Sequence, residues 1–119
     1  EAAMPKAVLA VVKKFLVESP KPEIVSIVLF GSMARGTGML GSDLDRLVVL
    51  PTKESQKDIE PRIERLRTSL FRRFNVPLSP YIQTVSELRQ KYRRKLPLVR
   101  EILKEGRTIH GKDIREVVA

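Results

Sequence analysis

The sequence predicts an α/β (α+β) protein in which helices flank a short mixed β-sheet. Three observations carry this. Some segments repeat apolar residues at helical spacing, others are short β-branched runs, and the two kinds alternate along the chain. Prolines and glycines fall where one kind gives way to the other. At 119 residues and 42% apolar composition, there is material for one core and little room for a second. Residues 1–119 are therefore expected to form one domain.

Pro5 to Glu18 reads as an amphipathic helix, with Val8, Val12 and Phe15 on one stripe beside Leu9 and Leu16. Ser19-Pro20-Lys21-Pro22 ends it, since proline cannot continue a helix. Ile24 to Phe30 is short and rich in β-branched residues, as a buried strand is. A turn leading into a short helix is expected over Gly31 to Gly36, then a loop at Met39-Leu40-Gly41. Asp43 to Leu50 is the second strand, stopped by Pro51. After a connection to Lys57, a helix runs to about Phe74 on Ile59, Ile63, Leu66, Leu70 and Phe74. Ser55 or Asp58 is its N-cap, Pro61 belongs in its first turn, and Asn75 suits a left-handed stop. Val76 to Gln83 is a third strand whose two prolines place it at an edge. Thr84-Val85-Ser86-Glu87 is a capping box that starts a helix reaching about Lys95, where Leu96-Pro97 breaks it. Leu98 to Glu105 is helical, with Gly106 as its C′ residue. Thr108-Ile109-His110 suits a last strand and Gly111 a turn. Lys112 to Ala119 is read as one or two frayed helical turns.

The charge is uneven. Residues 1–61 hold 8 Lys/Arg and 8 Asp/Glu, whereas residues 62–119 hold 15 and 6, so the second half carries the whole net charge of +9. Such a half attracts polyanions, or else it is a set of solvated helix faces. Cysteine is absent, which excludes disulfide frameworks and cysteine-metal sites. No apolar run is long enough to span a bilayer and no signal peptide is evident, so a cytoplasmic location without membrane contact is expected.

The chemistry concentrates between Ile27 and Leu50. Phe30-Gly31-Ser32 is followed by ten residues, Met33 to Ser42, and then by Asp43-Leu44-Asp45. Residues two apart on a strand point to one face, so Asp43 and Asp45 can share a divalent metal such as Mg2+. Gly31 has no side chain to keep a phosphate from the backbone. Ser32 adds a hydroxyl donor, and N–H groups at a helix start favour an anion. Arg35, one turn further on, offers phosphate a guanidinium fork.

This arrangement resembles the nucleotidyltransferase superfamily that includes the polymerase-β type enzymes, and in particular its minimal nucleotidyltransferases. Arg35-Gly36 and Ser42 match the extended pattern FGSxARG…SDxD of that group. The resemblance implies the polymerase-β-like nucleotidyltransferase fold. It implies that Gly31, Ser32, Arg35 and Ser42 bind a nucleoside triphosphate, with ATP the expected one. It further implies that Asp43 and Asp45 are catalytic and hold Mg2+ while a nucleotide passes to an acceptor hydroxyl. Many minimal members act as antitoxins on a small helical HEPN-type partner, which makes such a protein the implied acceptor. A homo-oligomer is also compatible with the sequence.

Two departures qualify the pattern. Arg46 stands where an apolar residue is usual; on a regular strand it falls on the face opposite the carboxylates, with Leu44 and Val48. Active members also take a third carboxylate from a later strand. Here no Asp or Glu occurs between Glu64 and Glu87, Ser79 or its neighbour takes the expected place, and Glu87 is the nearest substitute. The first alternative is therefore a weakly active or inactive partner-binding module. The second, less favoured, is a basic nucleic-acid binder over residues 62–115, in which Tyr92 among the cations of Arg89 to Lys95 would stack on bases. Tyr81 reads as core or rim and His110 as structural.

Overall fold

A computed structural model describes residues 6–18, 24–30, 44–53 and 55–119. In order they form α1 (Lys6–Val17), β1 (Ile24–Phe30), β2 (Leu44–Pro51), α2 (Gln56–Phe74), β3 (Leu78–Ile82), α3 (Val85–Arg93), α4 (Pro97–Glu105), β4 (Arg107–Gly111) and α5 (Ile114–Val118). The expected turn and short helix over 31–36 and the loop at 39–41 lie outside the described residues.

The four strands make one mixed sheet in the order β3-β2-β1-β4. β1 pairs antiparallel with both β2 and β4, while β2 pairs parallel with β3. A parallel pair needs a long crossover, and α2 supplies it. β3 is an edge strand, which is where its Pro80 is tolerated. It is shorter than the expected 76–83, because Val76 and Pro77 precede the first strand residue.

The sheet is covered on both faces, and alternation along β1 and β2 divides the core. Ile27, Leu29 and Val49 pack with Val8, Val12 and Phe15 of α1 and with Ile59, Ile63, Leu66 and Leu70 of α2. Val28, Phe30, Val48 and Leu50 pack with Leu88 of α3, Val99 and Ile102 of α4, and Ile114 and Val117 of α5. Both stripes expected of α1 and α2 are thus the buried ones.

Several local expectations are corrected. α2 begins at Gln56, so Pro61 lies in its second turn and removes one interior hydrogen bond. Ser55 is the N-cap by position, but its hydroxyl is bonded to Thr52 rather than to the helix. Asn75 is left-handed as expected, at φ 55 and ψ 36. The break after α3 uses Lys95 at φ 57, followed by extended Leu96 ahead of Pro97.

Gly106 is required for a different reason from the one expected. Its backbone is extended, at φ −69 and ψ 148, so it is no left-handed cap. A Cβ there would collide with the Ile102 carbonyl oxygen and come within 2.8 Å of Val28 Cγ1. Gly106→Ala is expected to destabilise the protein by about 1–3 kcal/mol through overpacking, read as a lower urea midpoint at unchanged slope. An unchanged midpoint would show that the β1–α4 contact yields freely.

The tail is docked rather than frayed. Asp113 accepts the Arg115 N–H at 2.9 Å to cap α5, and that bond holds its carboxyl below the ordinary carboxylate value. Ile114 and Val117 are buried, and Arg89 Nε donates to the Val117 carbonyl at 2.8 Å. Buried Ser26 in β1 donates to the Lys112 carbonyl at 2.7 Å, tying the centre of the sheet to the last turn.

Candidate active site

The register of the sheet brings the residue before Gly31-Ser32 next to the residue after Asp45. β1 ends at Phe30, whose Cα partner in β2 is Arg46, the residue after Asp45. The chain leaving β1 towards Gly31-Ser32 therefore starts beside the beginning of β2. Of the expected site residues, Asp45 lies in β2. Gly31, Ser32, Arg35, Ser42 and Asp43 lie outside the described residues.

β3 begins at the same end of the sheet. Leu44 pairs with Leu78 and Leu47 with Pro80, so the Ser79 backbone runs alongside Asp45-Arg46. Between those pairs β2 has one residue more than β3, a bulge of the kind that often lies next to active sites. The pairing with β1 is regular across Arg46 and Leu47, whereas the pairing with β3 is not. Ser79 is exposed, and β3 carries no carboxylate.

Glu87 is not placed to substitute for one. β3 runs parallel to β2, so α3 starts at the far end of the sheet, where the Gln83 N–H donates to the Val49 carbonyl. That is about 16 Å along the strand from Leu44, at roughly 3.3 Å per residue. Glu87 is also engaged: it accepts the Thr84 N–H at 2.9 Å, while Thr84 accepts the Glu87 N–H, completing the expected capping box.

Other residues singled out in the sequence support the fold. Lys91 Nζ donates to the Tyr81 hydroxyl at 3.1 Å and lies 5.2 Å from its ring centroid. His110 is an exposed residue of β4, paired with Ile27. One residue that no motif marked lies at the motif end: exposed Arg107 opens β4 opposite Leu29, one position before the end of β1. Among the described residues no three His, Cys, Asp or Glu gather as a metal-binding group, and no helix is long and apolar enough to cross a membrane.

A strand running into Gly31-Ser32 and paired with the strand that carries Asp45 is consistent with one class of protein, and the comparison with known families agrees. The chain belongs to the nucleotidyltransferase domain family, whose pattern matches residues 9–110. It is a nucleotidyltransferase by fold and family. No curated protein matches the sequence. Among solved structures, the fold is shared with two crystal structures of mutant forms of the toxin–antitoxin MntA-HpeT. One aligns at a TM-score of 0.54 and 18% identity, over 90% of this chain and 76% of that chain. The other aligns at 0.55 and 16% identity, over 90% and 77%.

Proposed function

We propose that this protein, as one domain, binds a nucleoside triphosphate, ATP by preference, together with Mg2+, and transfers a nucleotide to a hydroxyl on a partner protein. The observation that supports this reading is the pairing of Phe30, the residue before Gly31-Ser32, with Arg46, the residue after Asp45. In this proposal Gly31 admits the triphosphate to the backbone, Ser32 and Ser42 donate hydroxyl hydrogen bonds, and Arg35 forks onto phosphate oxygens. Asp43 and Asp45 present carboxylate oxygens, the hard donors that suit Mg2+. When bound, the metal neutralises charge on the transferring phosphoryl group. The acceptor oxygen bonds to the α-phosphorus and pyrophosphate leaves. The acceptor proton passes to water, since β3 has no carboxylate to take it.

The likeness to a toxin–antitoxin structure supports a protein partner, for which a small helical HEPN-type toxin in the cytoplasm is our reading. The test is incubation with radioactive ATP and Mg2+ in the presence of a co-purified partner. Label on the partner is the expected result. Tight partner binding with no label, and no heat of Mg-ATP binding by calorimetry, would favour the non-enzymatic partner module, which the carboxylate-free β3 also fits.

A further inference from the structure

Five arginines and one glutamate occupy residues 62–73 of α2, a net charge of +4 in twelve residues. The fold arranges this segment as a continuous surface. A groove of about 360 Å3 lies between α1 and α2, bordered by Lys14, Arg62, Arg65, Ser69 and Arg73. A second, of about 450 Å3, continues over Arg65, Thr68, Ser69, Arg72 and Arg73. A third, of about 560 Å3, passes Arg67, Thr68, Phe71 and Arg72 and ends at Leu78 and Ser79, at the motif end of the sheet. Each groove shares residues with the next, so together they cross α2.

Arg62 donates to the Glu18 carbonyl at 3.2 Å and Arg73 lies 5.3 Å from the Phe74 ring centroid, while the arginines between them are freer to meet a ligand. Arg65 and Arg72 are exposed and have no carboxylate partner among the described residues. Arg67 has only Glu64, at 3.3 Å, in an exposed pair of little net strength. Phe71 is 57% exposed and stands between Arg67 and Arg72 in sequence and beside both in the third groove. In the other basic stretch Arg89 holds the Val117 carbonyl and Lys91 holds Tyr81, while Arg93 and Arg94 are exposed and serve as the comparison.

We propose that the arginine face of α2, from Arg62 to Arg73 and ending at Ser79, binds a single-stranded nucleic acid. Guanidinium forks match phosphate oxygens, and an exposed ring among cations is a surface on which a base stacks. A protein partner of ordinary interface size would bring an apolar centre to be buried. Among the described residues Phe71 is the one large exposed apolar side chain of the face, and Glu18 and Glu64 are the only carboxylates among its arginines and hydroxyls. This inference does not rest on nucleotide transfer, and the binding is measured without triphosphate or metal.

The test is fluorescence anisotropy of a short labelled oligouridylate, and of its deoxy counterpart, with the intact chain between about 50 and 200 mM salt. Arg65→Ala/Arg72→Ala is expected to weaken binding at least tenfold and to flatten the logarithmic salt slope by about 1.4, at roughly 0.7 per phosphate contact on a single strand. Phe71→Ala is expected to weaken it about tenfold with the slope unchanged. Arg93→Ala/Arg94→Ala removes the same charge at the C-terminal end of α3 and its cap and is expected to change affinity less than about twofold. No binding at low salt would overturn the proposal. So would equal losses from the two double variants, which would mean diffuse attraction rather than a track. Binding of an acidic protein by this face, with none of either oligonucleotide, would reassign the surface to a protein and overturn it as well.

Discussion

Asp45→Asn is expected to lower nucleotide transfer by about a thousandfold while leaving the fold intact. The substitution keeps the shape of the side chain and removes its charge. In our reading that charge helps hold the metal against the triphosphate, an interaction worth several kcal/mol at the transition state. Each 1.36 kcal/mol is about tenfold in rate, so a loss of roughly 4 kcal/mol gives the stated factor. Asp45 lies one residue before the Cα partner of Phe30, where the end of β1 meets the beginning of β2. Two measurements are needed: transfer of label from radioactive ATP to the partner, and the thermal unfolding midpoint. Undiminished transfer with a normal midpoint would remove Asp45 from the site. Asp43→Asn is expected to act in the same direction.

Ile27→Ala should produce a large loss of stability, well above that of Val25→Ala in the same strand. Ile27 is fully buried in a central strand and is bounded by α1 and α2 on its face of the sheet. Truncations of this kind cost about 2–5 kcal/mol, because the removed carbons lose their burial and the cavity closes only in part. Taking about 3 kcal/mol, the midpoint of thermal unfolding falls by about 12 °C or more in a protein of this size. Val25→Ala is the useful comparison, since Val25 is only half-buried and packs at the margin of the other core. If the two substitutions cost the same, the face assigned to Ile27 is wrong. The prediction also bears on the site, because the register of β1 against β2 sets where the chain towards Gly31 begins.

The order of elements was legible in the sequence because it depends on near neighbours. The 3.6-residue spacing of Ile59, Ile63, Leu66 and Leu70 and the β-branched run Ile24 to Phe30 both report burial of local faces. Asn75 and Thr84 signal their own backbone or capping geometry, and both behave as expected. Gly106 misled because its lack of a side chain serves contact with Val28, far away in the chain, and not local backbone conformation. Glu87 misled in a similar way. Its position in sequence follows β3 closely, but a parallel β3 puts it at the wrong end of the sheet.

By itself, then, the sequence determined the alternation of helices and strands, the caps, and the family signature from Phe30 to Asp45, together with the lack of an acid in β3. It also showed that the second half of the chain is basic. The tertiary structure decided the strand order β3-β2-β1-β4 and the antiparallel meeting of β1 with β2. It decided the docking of α5 onto α3, and the setting of Ser79 beside Asp45-Arg46. It also joined Arg62, Arg65, Arg67, Arg72 and Arg73 of α2 into one surface leading to that same end of the sheet. The reason is physical. Periodicity and capping are properties of residues a turn apart, whereas pairing, face and end are settled by contacts such as Ser26 to Lys112, between residues 86 positions apart in sequence.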